Sequence, residues 1–385
     1  MKKIIISTSI GQYLDQSLRK IVSVIPLFGL FLSLGRKKNQ PSSCVFFLYG
    51  GIGDAILAIT LINKVSRIRN TVVLCDDRLS ALSFLFSKKV SIVKYNKKNF
   101  VTQSFRIKKK IAKDSVLVHQ TPVIELHIVK LILGISGSMG YISSYDKIYS
   151  INSLSGSKKI NSINTIVRYE KLYETIRDAF SYQERQCDIS QTDLSQSIFD
   201  AKYIVVSLSK SPQWKMGKMD TNEYIKIAEF FFLKYGYTVV FVGSSIERTQ
   251  IDKAIRHSRY YNSLINFAGK TTIKELSVII KSADFVISND NGISHLSAYL
   301  MKKTLVLFMF SDPEVYKWNY KDYEYIFHPI KSCMPCVGFN NFPVDNYPVI
   351  CRNNLICNQS LDHMSVINKI LKLGWVQPNK EDRND

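Results

Sequence analysis

Short continuous apolar runs alternate with segments of helical spacing twice along this chain, and that alternation limits the folds open to it. In the first series, Cys44 to Tyr49 is an apolar run of strand length that ends in Gly50-Gly51-Ile52-Gly53-Asp54. Ala55 to Arg67 has its apolar residues at helical spacing. Thr71 to Cys75 reads as a strand, Leu79 to Ser87 as a helix, Val90 to Tyr95 as a third strand and Ser115 to His119 as a fourth. The second series runs through strand Tyr203 to Leu208, helix Asn222 to Tyr235, strand Thr238 to Val242 and helices Ile246 to Arg256 and Ile273 to Ser282. It continues with strand Phe285 to Ile287, helix Gly292 to Leu300 and strand Leu305 to Phe308. Strands that are apolar throughout, separated by helices, predict parallel sheets covered on both faces. Between the series, residues from about 150 to 196 are polar and strand-poor, with one helix near Val167 to Phe180. The chain therefore divides near residue 200 into two α/β halves, and its 385 residues are enough for two domains. Four parts are expected: a basic and apolar segment at 1–43, a first half at 44–200, a second at 201–372 with a cysteine-rich excursion at 333–357, and a polar tail at 373–385.

Charge narrows the partners. The chain carries 52 Lys and Arg against 31 Asp and Glu, a formal charge of +21. Residues 1–150 hold 23 of the bases and 7 of the acids, so +16 of that charge lies in the first part. An acidic partner is implied. A non-catalytic nucleic-acid binder is one such reading, but aromatic and basic residues do not interleave in any recognised motif for it, and no nucleic-acid partner is expected. No apolar run reaches the roughly 18–20 residues that span a bilayer. The nearest, Ile21 to Gly35, is broken by Ser23, Pro26 and Ser33 and flanked by Arg19, Lys20, Arg36, Lys37 and Lys38. It reads either as an in-plane interfacial helix or as a buried helix on the first half. A secretory signal fits it poorly, so a cytoplasmic chain is expected, peripheral on the inner face of the membrane if the interfacial reading holds.

Gly50, Gly51 and Gly53 follow a strand and open a helix, where backbone N–H groups are available to an anion. The dinucleotide fingerprint is incomplete, because the third glycine is missing, and there is no Walker lysine. A nicotinamide oxidoreductase is weakened on the same ground. Asp54 would repel a phosphate at this spot. Two readings of it stay open: a helix-capping acid favoured by the dipole, or a general base at a cleft mouth. Ser288-Asn289-Asp290-Asn291-Gly292-Ile293-Ser294-His295 sits at the end of the strand Phe285 to Ile287, where ligands bind in open parallel sheets. Asn291-Gly292 allows a tight turn, and the N–H groups that follow suit a diphosphate. His295 lies one helical turn from Asn291. The plainer alternative is a capped helix with a satisfied core histidine.

Three stretches carry a family resemblance. Gly51-Ile-Gly-Asp54-Ala-Ile-Leu-Ala-Ile-Thr60 is similar to the Gly-x-Gly-Asp motif of glycosyltransferase family 9, the ADP-heptose:lipopolysaccharide heptosyltransferases. Phe267-Ala-Gly269-Lys-Thr-Thr-Ile-Lys-Glu275-Leu resembles that family's Gly-x-Thr-x-x-Glu-Leu stretch. Asn289-Asp290-Asn-Gly292-Ile-Ser-His295-Leu-Ser-Ala298 resembles its Asp-[Ser/Thr]-Gly-x-x-His-x-x-Ala signature, with Asn291 in place of the hydroxyl residue. The resemblance covers roughly residues 44–372. It implies a GT-B fold, two facing Rossmann-like domains with a central cleft, and an inverting transferase that needs no metal at the donor phosphates. It also implies that Asp54 is the base on an acceptor hydroxyl, beside the glycine loop of Gly51 and Gly53. Donor contacts would come from Asp290, Asn291, Gly292 and His295, from Ser207 and Ser209, from Lys210 or Lys215 as the cation, and from Glu247 on a ribose hydroxyl. The implied donor is a nucleotide sugar, most simply ADP-heptose. The implied acceptor is an anionic glycolipid of the lipopolysaccharide core or another envelope glycan, at a membrane surface, with a protein acceptor as the alternative. The oligomeric state is left open.

Cys333-Met-Pro-Cys336, Cys351 and Cys357 have spacing suited to a four-thiolate site. One branch of the family, the heptosyltransferases that modify autotransporter proteins, is similar in holding iron with such cysteines. A structural Fe or Zn is the expectation; four unliganded thiols are the alternative. Cys44, Cys75 and Cys187 read as small buried residues.

Overall fold

The computed structural model describes residues 42–48, 51–96, 103, 106–112, 114–118, 133, 135, 137–140, 151–152, 164–179, 199, 201–208, 217–330, 333–336, 351 and 353–376. The Ile21 to Gly35 segment and the polar tail from 377 lie outside them. The first sheet holds β1 (Ser43–Phe47), β2 (Asn70–Cys75), β3 (Val90–Lys94), β4 (Val116–Val118), β5 (Gly137–Gly140) and β6 (Ile151–Asn152), in the order β3-β2-β1-β4-β5-β6. The second holds β7 (Tyr203–Ser207), β8 (Thr238–Val242), β9 (Leu264–Asn266), β10 (Val286–Asn289), β11 (Thr304–Phe308) and β12 (Tyr323–Phe327), in the order β12-β11-β10-β7-β8-β9. Every strand pair is parallel. The two orders are the same when each sheet is counted from its own first strand. In each, the order reverses between the first and fourth strands, which is where an open parallel sheet leaves a crevice at its carboxyl edge.

Continuous apolar strands arise because both faces are covered. In β1, Cys44 and Phe46 enter one core and Val45 enters another. In β7, Tyr203 and Val205 face the first of these cores, while Ile204 and Val206 face the core of the second sheet's far side. One apolar cluster thus runs from the first sheet through helix α1 (Ile52–Ile68) to helix α6 (Gly292–Tyr299) and onto the second sheet. The lobes share that core. Tyr299 extends the link: its hydroxyl donates to the Leu85 carbonyl at 3.0 Å and accepts from Asn63 Nδ2 at 3.0 Å.

Helix α2 (Thr165–Ala179) packs on α1, and Asn164 at its start donates to the carbonyls of Glu314 and Lys317 at 3.2 and 2.9 Å. Helix α3 (Thr221–Tyr235) begins on the Asp220 cap and ends at Gly236, whose φ of 66° lies in the left-handed region. Helices α4 (Ser245–His257) and α5 (Ile273–Ser282) both start with capping boxes, Ser244 with Glu247 and Thr272 with Glu275. One expectation needs correction. Residues 79–87 do not form one helix; short helical turns at Asp77–Ser80 and Ser83–Leu85 are separated by a turn at 81–82.

Helix α7 (His363–Lys372) closes the chain's described part against α3. Its anchor is Glu223. That carboxylate accepts the His363 backbone N–H at 2.9 Å, the ring Nδ1–H at 2.6 Å and Lys226 Nζ at 2.6 Å. Burial works against its charge, but the hydrogen bonds from Lys226 and His363 hold the carboxyl down at about 2. A depressed carboxylate contributes stability above its unfolded value of 4.5 and loses it as pH falls toward 2. Acid titration of the unfolding midpoint should therefore drop more steeply for the native chain than for Glu223→Gln across that window. Parallel curves would remove the carboxylate from the account.

Candidate active site at the seam between the lobes

Asp54 stands at the third position of α1, directly after the switch-point strand β1. Its Oδ2 accepts the Gly51 N–H at 3.0 Å, so one oxygen caps the helix, and the side chain as a whole is exposed. Asp54 thus caps the helix with one oxygen and presents its carboxylate at the carboxyl edge of the first sheet. The second motif follows β10, next to the switch point of the other sheet.

The two motifs touch through their glycines. A Cβ on Gly53 would come within 2.8 Å of His295 Cδ2 and 3.6 Å of Gly292 Cα. A Cβ on Gly292 would come within 3.3 Å of Ile52 Cγ2 and 3.4 Å of the Gly53 nitrogen. The starts of α1 and α6 approach closely because neither glycine carries a side chain. Gly53 therefore serves contact between the lobes, where the sequence reading put it in a loop facing the acceptor.

Around this contact the polar groups are interlocked. Asp290, with a side chain 13% exposed, accepts the Ser311 hydroxyl on Oδ2 at 2.6 Å and places Oδ1 3.6 Å from His295 Nε2. His295 is 6% exposed, and its Nδ1 lies 3.0 Å from the indole nitrogen of Trp318. Burial lowers the pKa of this ring, and the carboxylates of Asp290 and Asp54 pull it the other way. Tyr316 feels the same two carboxylates; burial and then their charges push its hydroxyl up to about 12. Asp54, Asp290, His295 and Tyr316 thus share one electrostatic environment, although residues 54 and 290 come from different lobes. Trp318, Ser311 and Tyr316 were not singled out by the sequence, which has no local signal tying them to a motif that ends at His295, well upstream of all three.

Several expected donor contacts sit differently. Asn291 Oδ1 accepts the N–H groups of Ile293 and Ser294 at 2.7 and 3.1 Å, so those two are taken by the helix cap and not left for a diphosphate. Ser207 is fully buried and accepts from Asn291 Nδ2 at 3.4 Å, which makes it a support beneath the turn. Asn289 is also buried; it accepts from the Tyr224 hydroxyl at 2.6 Å and donates to the Leu208 carbonyl at 3.0 Å. Glu247 Oε2 is engaged by the Ser244 N–H at 2.8 Å and by the Ser244 hydroxyl, closing the turn at the end of β8. Ser209, Lys210 and Lys215 lie outside the described residues.

The four cysteines gather with Phe310 and Met334 in one small cluster. Cys351 accepts the Leu355 N–H and Cys357 the Gly217 N–H, both at 3.3 Å, while Cys336 donates to the Cys333 carbonyl at 3.2 Å. Among the described residues, no group of three or more His, Cys, Asp or Glu is arranged to hold a metal ion. The proximity expected from the spacing is present, and the ligand geometry is not. Among the described residues, no helix is long and apolar enough to cross a membrane.

Residues 157–342 match glycosyltransferase family 9 (heptosyltransferase). No curated protein sequence matches the chain. Among solved structures, ADP-heptose lipopolysaccharide heptosyltransferase II of E. coli is 16% identical, with a TM-score of 0.60 over 74% of this chain and 90% of that one. A family 9 glycosyltransferase from Veillonella parvula is 14% identical, with a TM-score of 0.63 over 88% and 98%. The iron-containing dodecameric glycosyltransferase TibC of enterotoxigenic E. coli is 12% identical, with a TM-score of 0.51 over 88% and 77%. The shared architecture is the GT-B fold.

Proposed function

We propose, for a chain whose residues 157–342 match glycosyltransferase family 9, an inverting transfer of a sugar from a nucleotide-sugar donor to an acceptor hydroxyl. The observation that carries this reading is the meeting of the two switch-point motifs, with exposed Asp54 opposite His295 and Asp290. Asp54 takes the proton of the acceptor hydroxyl as its oxygen bonds to the anomeric carbon. The bond from that carbon to the diphosphate breaks, and the nucleoside diphosphate leaves with the electron pair. Attack from the face opposite the leaving group inverts the centre. Negative charge grows on the leaving group, so a cation from Lys210 or Lys215 and fixed hydrogen-bond donors would lower the barrier most. No metal is assigned a part in this step. Asp290 is fixed by Ser311 through Oδ2, and its Oδ1 is suited to a hydroxyl of the sugar.

ADP-heptose is the donor we infer, in keeping with the donor named for the E. coli enzyme. An anionic envelope glycolipid is the acceptor we infer, because +16 of the charge lies in residues 1–150. We infer a cytoplasmic enzyme, peripheral at the inner membrane surface. The clustered cysteines favour a second reading, a protein acceptor, because the autotransporter-modifying branch that the cysteine spacing resembles carries such a cluster. Calorimetric titration with ADP, UDP and NAD tests the donor, and ADP alone should bind with high affinity. Mass spectrometry of envelope extracts incubated with ADP-heptose tests the acceptor. A heptose mass gain on glycolipid is expected; a gain on protein supports the second reading. Preference for NAD, with no mass gain on either, would sink the proposal.

A further inference from the structure

The indole of Trp318 donates its only N–H to His295 Nδ1 at 3.0 Å. An indole nitrogen has no lone pair to accept with, so the direction of this bond is settled by chemistry. His295 Nδ1 is therefore the acceptor. A neutral imidazole carries one ring proton, and that proton is then on Nε2. The other tautomer, or the imidazolium, would set two N–H groups against each other inside a buried site. Nε2 faces the seam, 3.6 Å from Asp290 Oδ1 and 3.6 Å from where a Cβ on Gly53 would stand.

We propose that Trp318 is a positioning residue that holds His295 as its neutral Nε2–H tautomer, making the ring a hydrogen-bond donor at the seam and not a second base. The charged groups that act on the ring are Asp290, just before its own helix, and Asp54 on α1; the Tyr316 hydroxyl shares those two carboxylates and also feels Arg168 of α2 and Asp312. Two carboxylates favour a cationic ring, and an incoming diphosphate would add to that pull. Burial opposes them. The Trp318 N–H opposes them too, because protonating Nδ1 costs that hydrogen bond and leaves a donor unsatisfied. With Nδ1 blocked and Nε2 carrying its proton, His295 cannot accept a proton from the acceptor hydroxyl, and Asp54 remains the base. Trp318 itself is anchored by packing between the shared core and the β11–β12 face, so the donor is fixed in place.

The catalytic part of this inference rests on the proposed transfer; the tautomer does not. Nitrogen-15 NMR of the full chain, labelled at histidine and assigned with His295→Asn, reads the tautomer directly. At neutral pH the native protein should show His295 protonated on Nε2 alone. In Trp318→Phe, which keeps an aromatic ring and removes the donor, the ring should become a tautomer mixture and titrate at higher pH. In transfer assays kcat should fall by up to about a hundredfold, with the donor KM nearly unchanged and the acidic limb of the pH profile moved upward. A native His295 found as Nδ1–H or as imidazolium overturns the proposal. So does a Trp318→Phe protein with unchanged tautomer and pH profile. Because the spectrum of the native chain needs no variant, a misfolded Trp318→Phe cannot hide the answer. An Nε2–H tautomer in a protein with no transferase activity would overturn the function and leave the ring assignment standing.

Discussion

Asp54→Asn binds the sugar-nucleotide donor as the native chain does and turns over on the order of 10²–10⁴-fold more slowly. The substitution is close to isosteric. An asparagine Oδ1 can still accept the Gly51 N–H that Asp54 Oδ2 now holds at 3.0 Å, so the start of α1 keeps its cap. What the amide cannot do is take a proton from a hydroxyl. The loss is therefore confined to the chemical step. Donor affinity from calorimetry, set beside kcat from single-turnover transfer, separates the two. An intact affinity with near-native kcat would remove Asp54 as the base and return it to capping alone.

Gly269→Ala loses several kcal/mol of stability, and Gly374→Ala loses much less. Both glycines lie in the left-handed region, with φ of +61° and +63°. A side chain there costs about 1–3 kcal/mol in backbone strain alone. Around Gly374 a Cβ would meet nothing within 4 Å. At Gly269 it would fall 2.5 Å from Ser245 Cα and 2.7 Å from the Ser245 nitrogen, a backbone that cannot swing aside. Relieving that overlap adds roughly 1–3 kcal/mol. The loop is also tied down: the Gly269 N–H donates to the Gly243 carbonyl at 2.8 Å, and Arg248 Nε to the Ala268 carbonyl at 2.9 Å. Denaturant unfolding of the two variants reads the difference, which isolates the clash from the strain. Equal losses would mean that the two loops part without cost.

What was legible in the sequence is local. The starts of α1 and α6 follow from strand ends that run into Gly51-Ile-Gly-Asp54 and Asn291-Gly292, because turn and capping preferences act over a few residues. The Thr272 to Glu275 box is legible for the same reason, as threonine and glutamate three apart satisfy each other's backbone donors. β5, Gly137-Ser-Met-Gly140, carries no strand propensity and is held by its pairing with β4. β12 is an edge strand, and its alternation of tyrosine with Glu324 has the look of a half-exposed surface. Neither could be read without the neighbouring strand. The cap on Ile293 and Ser294 turned on which way the Asn291 side chain points, and spacing does not record that.

Readable from the chain alone were the alternation of strands and helices around β1 to β4, β7, β8, β10 and β11 and the parallel character of both sheets, since an apolar run buried on two faces is a property of each segment. The sequence also placed Asp54 and His295 at strand ends. Only the tertiary structure decided that Gly53 lies against His295, that Trp318 donates to that ring and that Tyr299 reaches Asn63. These contacts join residues of different segments, 236 positions apart in the case of Asn63 and Tyr299. They exist because one apolar core spans the two lobes, and the shape of a shared core depends on every segment packed into it.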